Sequence, residues 1–550
     1  LLDFLPYGYV TDGSVDYSVE IQNMINYVKT LQSPIDLSLG PAYFGRAYGQ
    51  VTMCFPGIKL LINTGLIVYQ GMHLKFDRGC ILTAGTTGMI MVGTPANGNS
   101  DPVPGYGQHN IIIENITLDG ANKAGCGLLL DTVAVPDIRN PRIYRVTGRP
   151  FANGTITGSI TSATTVLTVS SSTGMFINEF IKIAGLSGWY CIIGISGNNI
   201  TLSRPAVATI TNGAISHLAP GLSLHMAQEG IISNIDSLYN EIGLAMSYNR
   251  DSLGCTDLVF MKGLFGRNNY GGYIERSNGC RFYGTAFQQS FYGSEITMEK
   301  SFSNMFNDCW IESVDSTTVT ANGIRQIPLI DILSSDCNGN VIQNARFPSN
   351  GHFRRFLRNK GLRTFVDKIL VTPGSLSENP DRVGDFALIE QVSTSGDIYL
   401  EMVAGQTTIT TPDGLIVDES GSYPAAAYAC ITLSGSKKTR LGSMEFTGAV
   451  PATQLIKLLV AGDSYSRLNL TPRGFLLGNG TSPADSGFYR SAADVIQAEQ
   501  GDSIKTDGTW NGGTFRLGNY YLWVEASTGF LRIKNGSPTS DSDGSTVGSQ

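Results

Sequence analysis

The residues best equipped for chemistry lie in the stretch NDCWIESVDS, positions 307 to 316. It holds three acids, Asp308, Glu312 and Asp315, with Trp310 between the first two. Two carboxylates can act as acid and base, or as acid and nucleophile, on a glycosidic bond. A tryptophan on a rigid strand offers a flat face for a sugar ring. The plainer reading is a strand edge whose acids are solvated. Spacing restricts the first reading. Four residues of strand span ~13 Å, beyond the ~6.5–9.5 Å that separates an inverting pair. Asp308 and Glu312 can therefore pair only if the chain bends at Asn307–Asp308; otherwise Glu312 needs a partner carboxylate from another coil or another subunit.

Other candidates emerge when the chain is laid on itself. The segment YIERSNGCRFYGTAFQQS (273–290) aligns with TMEKSFSNMFNDCWIESV (297–314), bringing Glu275 to Glu299 and Phe282 to Phe306. The segment DILSSDCNGNVIQNARFPS (331–349) aligns with EITMEKSFSNMFNDCWIES (295–313), bringing Asp331 to Glu295. The extra length of this copy falls within 313–328, as one loop. With Ile296 and Met298 inward, Glu295, Thr297 and Glu299 are expected to point outward. Acids stacked on adjacent strands raise one pKa and leave a proton-holding acid beside an ionised partner. The catalytic candidates are thus Glu312, Glu295, Asp308, Asp331, Glu299 and Glu275. Alternatively, Arg276 and Lys300 neutralise the column and it is plain surface. Trp310 would sit between Gln288 and Arg346. These two, with Gln289 and Arg276, are the expected sugar ligands.

A period in the low twenties with three short strands per repeat describes a coil of a parallel β-solenoid, stacked at ~4.8 Å on its neighbours. No L-x-x-L-x-L pattern supports leucine-rich repeats. Residues 152–218 are Ser/Thr-rich hairpins that interrupt the repeat, a small inserted β domain. After 365 the register is lost, and alternating strands predict β-sandwich-like modules to residue 550. Helix is expected at 16–32, where Ile21, Met24, Ile25 and Val28 recur at helical spacing behind Asp16 or Ser18 as N-cap, and more weakly at 491–500. The expected fold is therefore all-β: a right-handed parallel β-helix over 1–364, capped within 1–50 by a short helix, with the insertion and the C-terminal modules.

Composition narrows the function. The 550 residues include 65 Gly, and 15% are charged, as in turn-rich β proteins. A net charge of −7 disfavours nucleic acid as partner, since phosphate binding needs clustered Lys and Arg. The one basic run, HFRRFLRNKGLR (352–363), is either a solvated or intersubunit face or a dock for an acidic glycan. Nine scattered Cys without C-x-x-C argue against a disulfide framework and against zinc, and no cofactor is expected. No apolar run reaches the ~20 residues of a membrane span. Gly462–Ser464 and Gly501–Ser503 read GDS, but no His follows His352 to activate either serine.

DGSVDYSVEIQNMINYV (12–28) followed by LSLGPAYFGR (37–46) resembles the capping helix of pectate-lyase-like β-helices, and the coils resemble those of bacteriophage tailspikes. The tail, GFYRSAADVIQ (487–497) and NGGTFRLGNYYLWVEASTGFLRIKNGSPTSDSDGSTVGSQ (511–550), is similar to C-terminal modules of tailspikes and tail fibres. The resemblance implies a homotrimer that binds and depolymerises a bacterial O-antigen or capsule. It also implies a virion tail component, assembled in the host cytoplasm, whose baseplate-attaching N-terminal region lies outside a chain that starts at Leu1. An endo-glycoside hydrolase is expected. A polysaccharide lyase, with Arg276, Lys300 or Arg346 neutralising a uronate, and a non-catalytic receptor-binding spike are the alternatives. In a trimer Trp310 could instead be buried against a neighbouring subunit.

Overall fold

The computed structural model describes residues 1–31, 51–95 and 108–348, apart from 187, 249–252, 313–319, 322–323, 326 and 335. Between 352 and 498 it describes little besides the strands, and then 515–547 apart from 518, 526, 538 and 541. The segment 37–46, Asp315 and most of the 313–328 loop lie outside the described residues.

Strand pairs with the same direction run coil to coil. Val51–Phe55 pairs with Met72–Phe76, Ile231–Leu238 with Val259–Gly266, and that strand with Arg281–Gln288. The chain is a parallel β-helix, as the repeat predicts. The registers reproduce most of the internal alignment: Glu275 lies opposite Glu299, Phe282 opposite Phe306, Gln288 opposite Glu312 and Trp310 opposite Arg346. One pairing differs. Ile330 lies opposite Ile296, so Asp331 neighbours Thr297 and not Glu295. Register returns at Phe302 opposite Asn338. Part of the extra length is therefore in the turn after Ile332, not all in the 313–328 loop.

Like residues stack inside. Phe282 lies face to face with Phe260 and Phe306, at centroid distances of 4.4 and 4.7 Å. Cys280, Cys309, Ile311 and Ile342 are fully buried beside them. Inner corners carry asparagine ladders. Asn304 Oδ1 accepts from the Cys280 backbone N–H, and Asn340 Oδ1 accepts from the Asn304 backbone N–H, both at 3.1 Å. These satisfy turn amides that burial would otherwise leave unpaired.

An outer corner divides the wider face of each coil into two legs. It is turned by one residue with positive φ: Asn115, Asn140, Asn234, Lys262, Gly284, Asp308 and Asn344, all between 51° and 58°. Asn and Gly accept this conformation at least cost, so the corner is written in the sequence as recurring Asn.

The helix Ser18–Leu31 buries Ile21, Met24, Ile25 and Val28, and Asp16 Oδ1 accepts from the Ser18 N–H at 3.0 Å. The second expected helix is absent. Ser486–Ala492 and Val495–Ala498 are paired antiparallel strands. The isolated turn of apolar spacing at 491–500 was too short to decide against strand pairing.

Between two coils, six antiparallel strands from Thr157 to Leu218 close into a small barrel around Leu167, Ile181, Tyr190, Ile200 and Ile215. Its other face packs on the β-helix. Phe180, Trp189, Cys191 and Leu218 form one core with Ile242, Ala245, Tyr248 and Tyr273. Parallel pairing does not stop at 364. It continues through Phe386–Gln391 and Tyr428–Ser434 to Ile456–Leu459, within a compact unit that ends at Gly462. Long intervals between these strands hide the period from the sequence. The second unit, 463–550, carries antiparallel strands, including a sheet of Phe515–Leu517, Tyr520–Val524, Leu531–Asn535 and Ser545–Thr546.

Candidate active site

The chain does bend where Asp308 and Glu312 need it to. Met305–Asn307 ends one leg, Asp308 turns the corner with φ 54°, and Trp310–Glu312 begins the other. Cys309 and Ile311 are buried, which turns Trp310 outward at 40% exposure. Trp310 Nε1 donates to Glu312 Oε2 at 3.0 Å, so ring and carboxylate hold each other in place. Asp308 and Arg346 are each 57% exposed at the side chain and lie 3.6 Å apart. A flat aromatic face, a pinned carboxylate, and an exposed acid–guanidinium pair thus gather on one corner. Of the other expected ligands, Gln288 flanks Glu312 in register, while Gln289 is occupied by a 3.0 Å bond from Arg267 Nε.

The remaining carboxylates sit elsewhere. Glu275 does not face solvent, as alternation suggested. It is fully buried, because the inserted barrel covers its strand. Ser247 Oγ and Ser203 Oγ donate to it, and Arg204 of the barrel lies 3.4 Å away. Burial pushes the Glu275 carboxyl up to about 7, with Glu299 adding to the rise while Ser247, Arg204 and Ser203 oppose it. The same column continues through other buried groups. Asp131 lies opposite His225, and His225 opposite Ser247. His225 accepts or donates to Ser223 Oγ at 2.8 Å, and Asn178 Nδ2 donates to Asp131 at 2.9 Å. Burial lowers the pKa of His225. Although Asp, His and Ser follow one another here, all three are closed off from solvent, so the column is an interface seam and offers no substrate access.

Glu295 is also fully buried and accepts the Ser290 backbone N–H at 2.9 Å, which closes its own turn. Asp331 is nearly buried and held by Arg358, whose Nε donates at 2.8 Å. Arg358 belongs to the basic run, so that residue stabilises the coil; the side chains of His352, Arg354 and Arg355 lie outside the described residues. Arg276 donates to Tyr248 Oη at 3.2 Å and lies over its ring. Glu299, 8% exposed, is opposite Glu275 on the next coil. Sequence reasoning thus missed Arg204, Ser203 and Ser247, which no local pattern links to Glu275.

Residues 487–549 match a family model described as capsule depolymerase. No curated protein sequence matches the chain. Among solved structures, Geobacillus virus E2 ORF18 is 14% identical, with 98% of this chain and 74% of that one covered and a TM-score of 0.38. PfbA, a surface adhesin of Streptococcus pneumoniae, is 9% identical, with 90% and 97% covered and a TM-score of 0.42. The Gp54 tailspike of Acinetobacter baumannii bacteriophage AP22, solved with a capsular saccharide, is 8% identical, with 82% and 64% covered and a TM-score of 0.32. Over residues 487–549, then, this parallel β-helix protein is similar to the capsule depolymerases.

Proposed function

We propose that the protein is a phage tailspike that depolymerises a bacterial surface polysaccharide, with the Asp308–Trp310–Glu312–Arg346 corner as its active site. The capsule depolymerase match at 487–549 carries the reading. The exposed Trp310 ring beside a pinned carboxylate supports the location. Trp310 stacks a sugar, and Glu312 serves as acid or base, with Asp308 as its partner across the bend. Endo-hydrolysis is the reaction proposed. The exposed Arg346 guanidinium favours a second reading, elimination at a uronate whose carboxylate Arg346 neutralises. Trimer assembly and attachment to a virion belong to the same proposal.

Purified capsule or O-antigen from a susceptible host separates the outcomes. New reducing ends without ultraviolet absorbance indicate hydrolysis, and an unsaturated uronate chromophore indicates elimination. Glu312→Gln should lower kcat by about 10²–10⁴-fold, the usual worth of a general acid or base. Wild-type turnover in that variant removes Glu312 from catalysis. Tight binding with neither product refutes the enzyme and leaves a receptor-binding spike.

A further inference from the structure

The outer corner that carries Asp308 also forms a polar groove several coils towards the N-terminus. This cavity of about 550 Å³ is lined by Arg78, Asn115, Asn140, Arg142, Asn234 and Asp236, among others. That volume is typical of small-ligand sites, and so polar a lining suits a hydroxyl-rich ligand. Arg142 and Asp236 are register neighbours on successive coils. The same column then runs through Leu264 and Ala286 to Trp310. Three coil steps, ~14 Å, separate Asp236 from Trp310.

Two features of the groove point to its ligand. The first is a pair of incompletely engaged arginines. On this face Arg139 is clamped by Asp137 and Glu114, each at 2.9 Å, and Arg145 by Asp119 at 2.9 Å. Arg142, by contrast, is 68% exposed at the side chain, and its nearest carboxylate, on Asp236, is 3.7 Å from Nε. Arg78 has no ion-pair partner among the described residues. The guanidinium fork is built to take a carboxylate on two N–H groups, and both side chains here are exposed. The second is the outer asparagine ladder. Asn234 Nδ2 donates to Asn140 at 3.0 Å, Asn140 Nδ2 to Asn115 at 2.8 Å, and Asn115 Nδ2 to the Phe76 carbonyl at 3.3 Å. The ladder ends at Asn234, because the next corner residue is Lys262. Asn234 Oδ1 therefore receives no hydrogen among the described residues and can accept one from a hydroxyl. Side chains locked in such a ladder lose little entropy on binding.

We infer that this groove is a second saccharide-binding site, selective for sugars bearing a carboxylate, in which Arg78 and Arg142 hold the carboxylate and Asn234 and Asp236 accept from hydroxyls. It rests on the reading of the protein as a polysaccharide-binding depolymerase. It adds that the polymer bears uronate-type acids and is held upstream of the Trp310 corner.

Trigalacturonate and a hyaluronan tetrasaccharide serve as acidic probes, with maltotriose as the neutral one. Binding is read by saturation-transfer NMR and titration calorimetry on the full chain, in wild type, in R78A/R142A and in W310A. At least one acidic probe should bind at millimolar concentration or better, and maltotriose should not. R78A/R142A should weaken that binding at least tenfold while the thermal midpoint stays at the wild-type value, because both side chains are exposed. The part of the binding that R78A/R142A removes should persist in W310A, and its loss there would assign it to the Trp310 corner and overturn the groove. No binding of either acidic probe, equal binding of maltotriose, or equal binding by R78A/R142A overturns the site. Cleavage enters none of these readouts, so a chain that binds acidic probes here but degrades no polysaccharide would refute the enzyme and keep the groove.

Discussion

Glu275→Gln tests how the inserted barrel is held on the β-helix. In the folded protein the Glu275 carboxyl titrates at about 7, against an ordinary 4.5. The folded state therefore holds this proton harder than the unfolded chain does. The resulting stability is complete below pH 4.5 and is lost as pH rises through about 7. At 1.36 kcal/mol per pH unit, the loss is about 3 kcal/mol. Glutamine keeps the shape and hydrogen-bonding ability of the protonated acid but cannot ionise. The variant should match wild type near pH 4.5 and exceed it by about 3 kcal/mol near pH 8. Native-state hydrogen exchange reads this locally, in the barrel strands Tyr190–Ser196 and Asn199–Leu202 that lead into Ser203 and Arg204. Their opening should be about a hundredfold rarer in the variant at the higher pH, with no difference at the lower one. A difference independent of pH refutes the reasoning. So does a variant that is weaker at high pH, since the 3.4 Å pair with Arg204 would then outweigh the desolvation of Glu275.

Two substitutions test the coils themselves. Phe282→Ala removes the middle ring of the Phe260–Phe282–Phe306 stack and should cost about 3–5 kcal/mol, read as a lowered thermal or denaturant midpoint; a loss below about 1 kcal/mol would mean that the column collapses to fill the gap. Arg358→Ala leaves the nearly buried Asp331 without its guanidinium. It should destabilise by about 1–3 kcal/mol, and Arg358→Ala/Asp331→Asn should recover part of that loss in a double-mutant cycle, whereas strictly additive losses would refute the pairing.

Much of the architecture is legible in the sequence because a solenoid repeats its chemistry. Phe282 recurs as Phe306 because the inward column demands like residues, and that match sets Gln288 opposite Glu312 and Trp310 opposite Arg346 in true structural register. The bend at Asp308 is the condition that the strand spacing sets for Asp308 and Glu312 to pair, and the backbone meets it with a positive φ at Asp308. The Asp331 pairing failed because an alignment of residue types cannot locate a small shift in a variable turn. The sequence does not mark the end of the parallel pairing, because long intervals between successive paired strands hide the period.

Burial of the carboxylates was a different matter. Alternation correctly turns Glu275 away from the solenoid core, but outward means solvent only when nothing lies outside. A barrel built from residues 157–218 covers that strand, and Arg204 reaches a carboxylate far along the chain. Sequence alone determined the coil, the inward columns and the outward direction of Trp310 and Glu312, since each follows from periods of two residues and of one coil. Only the tertiary structure decided which outward acids meet solvent, which meet the barrel and which are closed in by a turn or by Arg358, because that depends on contacts the periods do not encode.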